Sequence, residues 1–126
     1  MALFRSGSGS GLKEVVLWTN PSPTADQSAT AVTLSQNYTD FDYVGIYFKL
    51  SKSETAEYMY AVSKELFGQP SSTVTSAAGS YSGSYQYVRN VTGTAPTTAS
   101  IGNAWQVGGT AQSAGQSIIT KITGLK

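Results

Sequence analysis

The chain predicts an all-β fold, an antiparallel β-sandwich of jelly-roll type with about seven to eight strands behind an extended N-terminal arm. Three observations carry that expectation. The apolar run Val15-Val16-Leu17-Trp18 stops abruptly at Thr19-Asn20-Pro21-Ser22-Pro23-Thr24 before alternation resumes, which is the pattern of strand, rigid polar loop and strand. Proline fixes φ and has no amide to give to a ladder, so Pro21 and Pro23 can close a strand but cannot lie inside a central one. Short segments of two-residue periodicity then recur along the chain, separated by Gly, Pro and Asn clusters, a spacing that favours a sandwich or a small barrel.

Taken in order, the strands are expected over residues 14–18, 30–34, 43–50, 57–63, 84–91, 100–107 and 117–122, with a weaker eighth over residues 73–76. In the third, Val44, Ile46, Phe48 and Leu50 share one face and belong to the core, while Tyr43, Gly45, Tyr47 and Lys49 share the other. The same alternation sets Tyr58, Tyr60 and Val62 against Met59 and Ala61, and Tyr85, Tyr87, Arg89 and Val91 against Gln86, Val88 and Asn90. Residues 53–66 compete as a helix, because Ser53-Glu54-Thr55-Ala56-Glu57 resembles a capped start and Lys64-Glu65-Leu66 suits a helix end. The aromatic and β-branched content of Tyr58-Met59-Tyr60-Ala61-Val62 favours the pleated alternative. Trp18 and Trp105 are assigned to the core or to a subunit interface.

A length of 126 residues suits one domain, here divided into a Gly/Ser-rich arm over residues 1–11 and a sandwich over residues 12–126. Charged residues are only 12% of the chain, with Lys+Arg 8 against Asp+Glu 7 and a net charge of +1, so the polar surface is built from Ser, Thr, Gln, Asn and Gly. The cations are scattered, whereas phosphate recognition clusters them, and nucleic acid is not an expected partner. No run of ~18 apolar residues is present, so membrane insertion is not expected either. The first residues lack the apolar stretch of a secretory signal.

The side-chain inventory narrows the chemistry. With His 0 and Cys 0, the usual general base near neutral pH, thiolate nucleophiles and the common zinc ligands are missing. No enzyme, cofactor, metal or catalytic residue is therefore expected. The motif Ser10-Gly11-Leu12-Lys13 matches S-x-x-K without its partner motifs, and Gly7, Gly9 and Gly11 do not have dinucleotide-binding spacing. Asp40 and Asp42 flank Phe41 at the entrance to a strand, a place for turn-forming aspartates, with a calcium ligand role as the alternative. Eight tyrosines stand out, and Tyr81, Tyr85 and Tyr87 lie in a Tyr/Ser/Gly vocabulary typical of contact loops. Tyr58, Tyr60, Tyr81, Tyr85 and Tyr87 are the candidate partner or receptor contacts, against a structural alternative of cross-strand aromatic pairing.

Four segments carry a resemblance. Val16-Leu17-Trp18-Thr19-Asn20-Pro21-Ser22-Pro23, Ala31-Val32-Thr33-Leu34, Phe41-Asp42-Tyr43-Val44-Gly45-Ile46-Tyr47-Phe48 and the closing Ile122-Thr123-Gly124-Leu125-Lys126 resemble small β-sandwich domains of tailed-bacteriophage virion structural proteins, of tail-fibre, minor structural or decoration type. The resemblance implies a non-enzymatic virion component, a tail-fibre, tail-tip or surface adhesion element, with capsid decoration as the alternative. It implies other phage structural proteins as partners, a host-surface glycan as a further one, and a homo-oligomer, with a trimer favoured. Leu3, Phe4 and Arg5 are then the expected anchor to the particle. An arm of eleven residues reaches at most ~3.5 Å per residue, so the domain would sit close to its attachment point. A free-standing carbohydrate-binding module shares the fold class, the tyrosines and the neutral charge, and a carboxylate-pair glycosidase is a remoter reading.

Overall fold

Alternating apolar positions do build the sheets. A computed structural model describes residues 13–69, 81–82, 85–109 and 111–126. The expected eighth strand over residues 73–76 and the expected anchor Leu3, Phe4 and Arg5 lie outside them. The described residues form a nearly all-β sandwich whose strand pairs are all antiparallel. Its elements are β1 (Glu14–Thr19), β2 (Thr30–Thr33), β3 (Tyr43–Ser51), β4 (Tyr58–Ser63), the single helical turn α1 (Lys64–Phe67), β5 (Tyr81–Ser82), β6 (Tyr85–Val88), β7 (Val91–Ala95), β8 (Thr98–Ile101), β9 (Trp105–Gln106) and β10 (Gln116–Leu125). Among the described residues, one sheet runs β1-β10-β3-β4, a second β2-β8-β7 and a small third β5-β6-β9.

The first two sheets close on one core. Leu17, Val44, Ile46, Phe48, Val62, Ile119 and Ile122 from the four-stranded sheet meet Val32, Val91, Ala99 and Ile101 from its partner. Each fully buried isoleucine contributes about 1.5–3 kcal/mol relative to an exposed position. The register explains the layer. Val44 pairs with Gly124 and Val62, and Ile46 with Ile122 and Tyr60, so one face of three neighbouring strands is apolar. Gly124 lacks a side chain where the Phe41 ring lies against the sheet. Tyr38 and Phe67 meet edge to face at 5.0 Å, and both rings lie over Gly93. The close of β4 into α1 reconciles the two readings of residues 53–66: the chain stays pleated to Ser63, whose hydroxyl then accepts from Leu66 N and caps one helical turn.

Two expected strands are broken. Residues 84–91 divide into β6 and β7, which belong to different sheets, because Arg89 between them leaves the ladder and turns inward. Residues 100–107 divide into β8 and β9 in the same way, with Gly102 C=O at the break accepting from Arg89. Trp105, expected in the core or at an interface, is 37% exposed on the short β9, whereas Trp18 is partly buried against the core as expected.

Tyr60 carries a testable consequence. Its ring packs edge-on against Phe48 at 6.1 Å, and its hydroxyl is buried with no hydrogen-bond partner. Burial holds this phenol well above its ordinary value. A buried polar atom without a partner is a net cost, so Tyr60→Phe is expected to raise stability at neutral pH by about 1 kcal/mol. A phenol whose pKa is higher in the fold keeps its proton after the unfolded chain has begun to lose it. The stability of the fold is therefore unchanged by this group below about pH 10 and declines as pH rises above it. Urea unfolding of both proteins at neutral and alkaline pH checks the point: the variant should be the more stable at pH 7 and lose less on the alkaline side.

Candidate functional site

The Asn/Pro/Ser segment that interrupts the sequence pattern becomes the most elaborately held loop of the described structure. Residues 20–29 leave β1, cross the end of the sandwich and return as β2. Within them Ala25 N donates to Ser22 O at 3.1 Å, closing a turn with Pro23 second, the position proline favours. Asn20 receives Ser22 N on Oδ1 at 2.7 Å, the side-chain mimic of a turn common to asparagine, and donates from Nδ2 to Ile119 O at 3.0 Å.

Gln27 supplies what a neighbouring strand would supply. Its Oε1 accepts from Ile119 N at 2.9 Å and its Nε2 donates to Ile119 O at 3.2 Å, so the side-chain amide completes the β10 ladder at the place where β10 bulges. Two cations hold the remaining carbonyls. Lys49 Nζ donates to Pro23 O at 2.9 Å and to Lys52 O at 3.2 Å. Arg89, fully buried, donates from Nε to Ser117 O at 2.7 Å, from Nη1 to Gln27 O at 2.9 Å and Gly102 O at 2.8 Å, and from Nη2 to Gln116 O at 2.9 Å and Ala114 O at 3.5 Å. Burial pushes its guanidinium down to about 10, which leaves it charged at neutral pH. A carbonyl cage of this kind answers the charge with dipoles and without a carboxylate.

The result is a loop with a buried footing and an exposed crown. Asn20, Gln27 and Lys49 are buried, while Pro21, Ser22, Thr24, Ala25, Asp26 and Ser28 face solvent. An open cleft lies to each side, with Asn20 common to both. One, of about 370 Å³, is lined by Thr19, Pro23, Lys49, Glu57, Thr120 and Lys121. The other, of about 550 Å³, includes Trp18, Pro21, Asp26, Gln27, Thr30 and Val32. On the sheet face beyond the first cleft, Tyr47 and Thr123 both donate to Glu14 Oε2, and Lys121 Nζ stands 4.2 Å above the Tyr47 ring. Burial, then the hydrogen bond to Glu14, raises the Tyr47 phenol above its ordinary value, so it remains a donor.

Of the tyrosines expected to form the contact surface, the three with described side chains are not gathered in this way. Tyr58 is 47% exposed beside Phe48, Tyr60 turns inward on the same face of β4, and Tyr87 is buried. Tyr87 therefore cannot present its ring as a surface contact. The side chains of Tyr81 and Tyr85 lie outside the described residues. Asp40 and Asp42 are exposed at the entrance to β3, where Asp40 N donates to Asn37 O and Asp42 N to Leu125 O. Among the described residues, no three His, Cys, Asp or Glu side chains gather as a metal site.

No protein-family model matches this chain, and no curated protein is significantly similar to it. Fold and loop together define an all-β sandwich that carries a preformed polar loop at one end.

Proposed function

We propose that this chain is a non-enzymatic structural protein of a tailed-phage virion, and that it adheres to its partner surface through the loop of residues 20–29. The loop's construction carries this reading. Burying Lys49, Arg89, Asn20 and Gln27 beneath ten residues of irregular backbone is an expensive way to join two strands, since buried charge and amide contribute little net stability. What such groups do supply is a fixed shape. A loop ordered before contact avoids the entropy of ordering at contact, the largest avoidable cost of adhesion by a neutral surface. The segment so fixed also contains Asn20-Pro21-Ser22-Pro23, the second half of the stretch Leu17-Trp18-Thr19-Asn20-Pro21-Ser22-Pro23 that is the distinctive part of the resemblance to virion sandwich domains.

The test uses the absence of cysteine from the chain. Ala25→Cys places a unique thiol on the crown, and Ala95→Cys one at the opposite end of the β2-β8-β7 sheet. Particles from the strain that encodes the protein should contain it at fixed stoichiometry, seen by mass spectrometry and by imaging of the labelled thiol. A bulky maleimide on the crown thiol of the Ala25→Cys variant should block incorporation or adsorption, and the same adduct on the Ala95→Cys variant should not. Absence of the protein from purified particles, or turnover of a surface polysaccharide by the purified chain, overturns the proposal.

A further inference from the structure

The larger cleft has a composition the smaller one lacks. In the smaller cleft the charged groups already have protein partners: Lys49 holds two carbonyls, Glu57 accepts from Thr120, and Lys121 lies over Tyr47. In the larger, an aromatic side chain and polar groups with capacity to spare line the same cleft. The bulge in β1 between Val16 and Trp18 sends Leu17 into the core at 2% exposure and leaves Trp18 at the margin, one side on the core and another on the cleft. Asp26 is tied to Lys52 Nζ through Oδ1 at 2.8 Å, and its side chain remains 60% exposed. Ser28 adds an exposed hydroxyl along the returning limb, and Thr30 adds another, which donates to Ala31 O at 3.3 Å and can still accept.

We propose that the Trp18 cleft is a binding subsite for a neutral pyranose ring, with the apolar face of the sugar on the Trp18 ring and its hydroxyls on Asp26, Ser28 and Thr30. This rests on the reading of residues 20–29 as the contact loop. An amphipathic ring needs a flat apolar platform beside acceptors whose position is already set, and indole offers the platform with few rotatable bonds. The ion pair with Lys52 orients the Asp26 carboxylate while leaving Oδ2 to accept from a hydroxyl, and a charge-assisted bond of this kind is about twice as strong as a neutral one. Gln27 and Asn20 are positioning residues, since their amides serve Ile119 and Ser22. A volume of about 550 Å³ falls in the range of small-ligand sites and suits one or two sugar units. Because the cleft is open, affinity near millimolar is expected. The nearby carboxylate disfavours an acidic sugar.

The experiment follows Trp18 directly, by the NMR shift of its indole N–H in the unaltered chain and by fluorescence in a Trp105→Phe background. The probes are methyl α-D-glucopyranoside, methyl α-D-galactopyranoside, methyl α-D-mannopyranoside and N-acetylglucosamine, each to tens of millimolar, with glucuronate as the charged comparison. At least one neutral sugar should give saturable shifts, and glucuronate should bind at least about tenfold more weakly. Asp26→Asn should weaken the neutral sugar by about tenfold with an unchanged melting temperature, because an ion pair exposed on both sides contributes little to stability. Silence of Trp18 toward all four neutral probes, equal binding of glucuronate, or undiminished binding by Asp26→Asn overturns the proposal. Sugar binding by a protein absent from particles would leave this subsite standing and remove the virion reading. Incorporation into particles without sugar binding would do the reverse.

Discussion

Arg89→Met is expected to lower the unfolding free energy by about 3–5 kcal/mol, the scale seen when one side of a buried charged arrangement is removed. Methionine matches the length of the side chain and none of its donors. The carbonyls of Gln27, Gly102, Gln116 and Ser117 would lose this buried donor, while that of Ala114 would keep Gln27 N at 2.9 Å. Each buried acceptor left without a donor costs about 1–3 kcal/mol, and relaxation of the loops toward solvent recovers part of it. Ser117 adds to the effect. Its φ of 51° is in the left-handed region, and it is held there by Arg89 on its carbonyl and by its own hydroxyl on Tyr87 O at 3.2 Å. Small domains stand only about 5–15 kcal/mol above their unfolded state, so the variant should lose a large part of its stability. The urea midpoint should fall with an unchanged m value, and protease cleavage between residues 20 and 29 should become faster. Arg89→Lys is expected to recover less than half of the loss, because a compact ammonium cannot span five acceptors. A midpoint unchanged by Arg89→Met would show that the cage is dispensable and that the loop above it has no special footing.

Why Arg89 escaped a reading of the sequence, while the sheets around it did not, follows from the range of the interactions involved. Alternation is local, so Val44, Ile46 and Phe48, or Tyr58, Tyr60 and Val62, announce their shared faces within a few residues. The prolines of the first loop are equally local. The groups that hold that loop are not: Asn20 and Gln27 reach Ile119 across 99 and 92 residues, and no periodicity records such a partner. One signal was available. Arg89 shares a face with Tyr87 and Val91, and an arginine on the same face as apolar neighbours is either an edge residue or a buried cation that needs acceptors. The tyrosines show the complementary difficulty. Alternation groups Tyr87 with Arg89 but cannot say that their common face is the inner one, so the abundance of tyrosine and the Tyr/Ser/Gly composition around it suggested a contact surface that the fold partly buries. Trp18 was legible as a residue of the core or of a subunit interface. That it also lines a cleft depends on the returning limb of residues 26–30, which only the tertiary structure brings to it.

Gly124→Val, near the end of an inner strand of the four-stranded sheet, is the second substitution expected to have a large effect, with Gly124→Ala a milder form of it. The glycine sits in β10, paired with Val15 on one side and Val44 on the other, so the strand is fixed along both edges. A Cβ at this position would lie 2.5 and 2.6 Å from two atoms of the Phe41 ring and closer still to a third, far inside contact distance. Phe41 has little room to yield. It is 4% exposed, its amide is bonded to Tyr38 O at 3.1 Å, and the next amide, Asp42 N, is bonded to Leu125 O at 2.9 Å. Two effects of opposite sign compete. Removing a glycine restricts the unfolded chain and stabilises by about 0.4–1 kcal/mol where the native backbone allows it. Overpacking a closed core costs about 1–3 kcal/mol, more when neither neighbour can move. The steric term should win, with a net loss of about 2 kcal/mol for alanine and a larger one for valine. Pairing Gly124→Val with Phe41→Ala distinguishes this cause from a simple change of strand propensity. If the ring is the obstacle, the double variant should be more stable than the sum of the single losses by at least about 1 kcal/mol. Strict additivity would mean that Phe41 and residue 124 do not compete for the same space, and the packing of this end of the sandwich would have to be drawn differently.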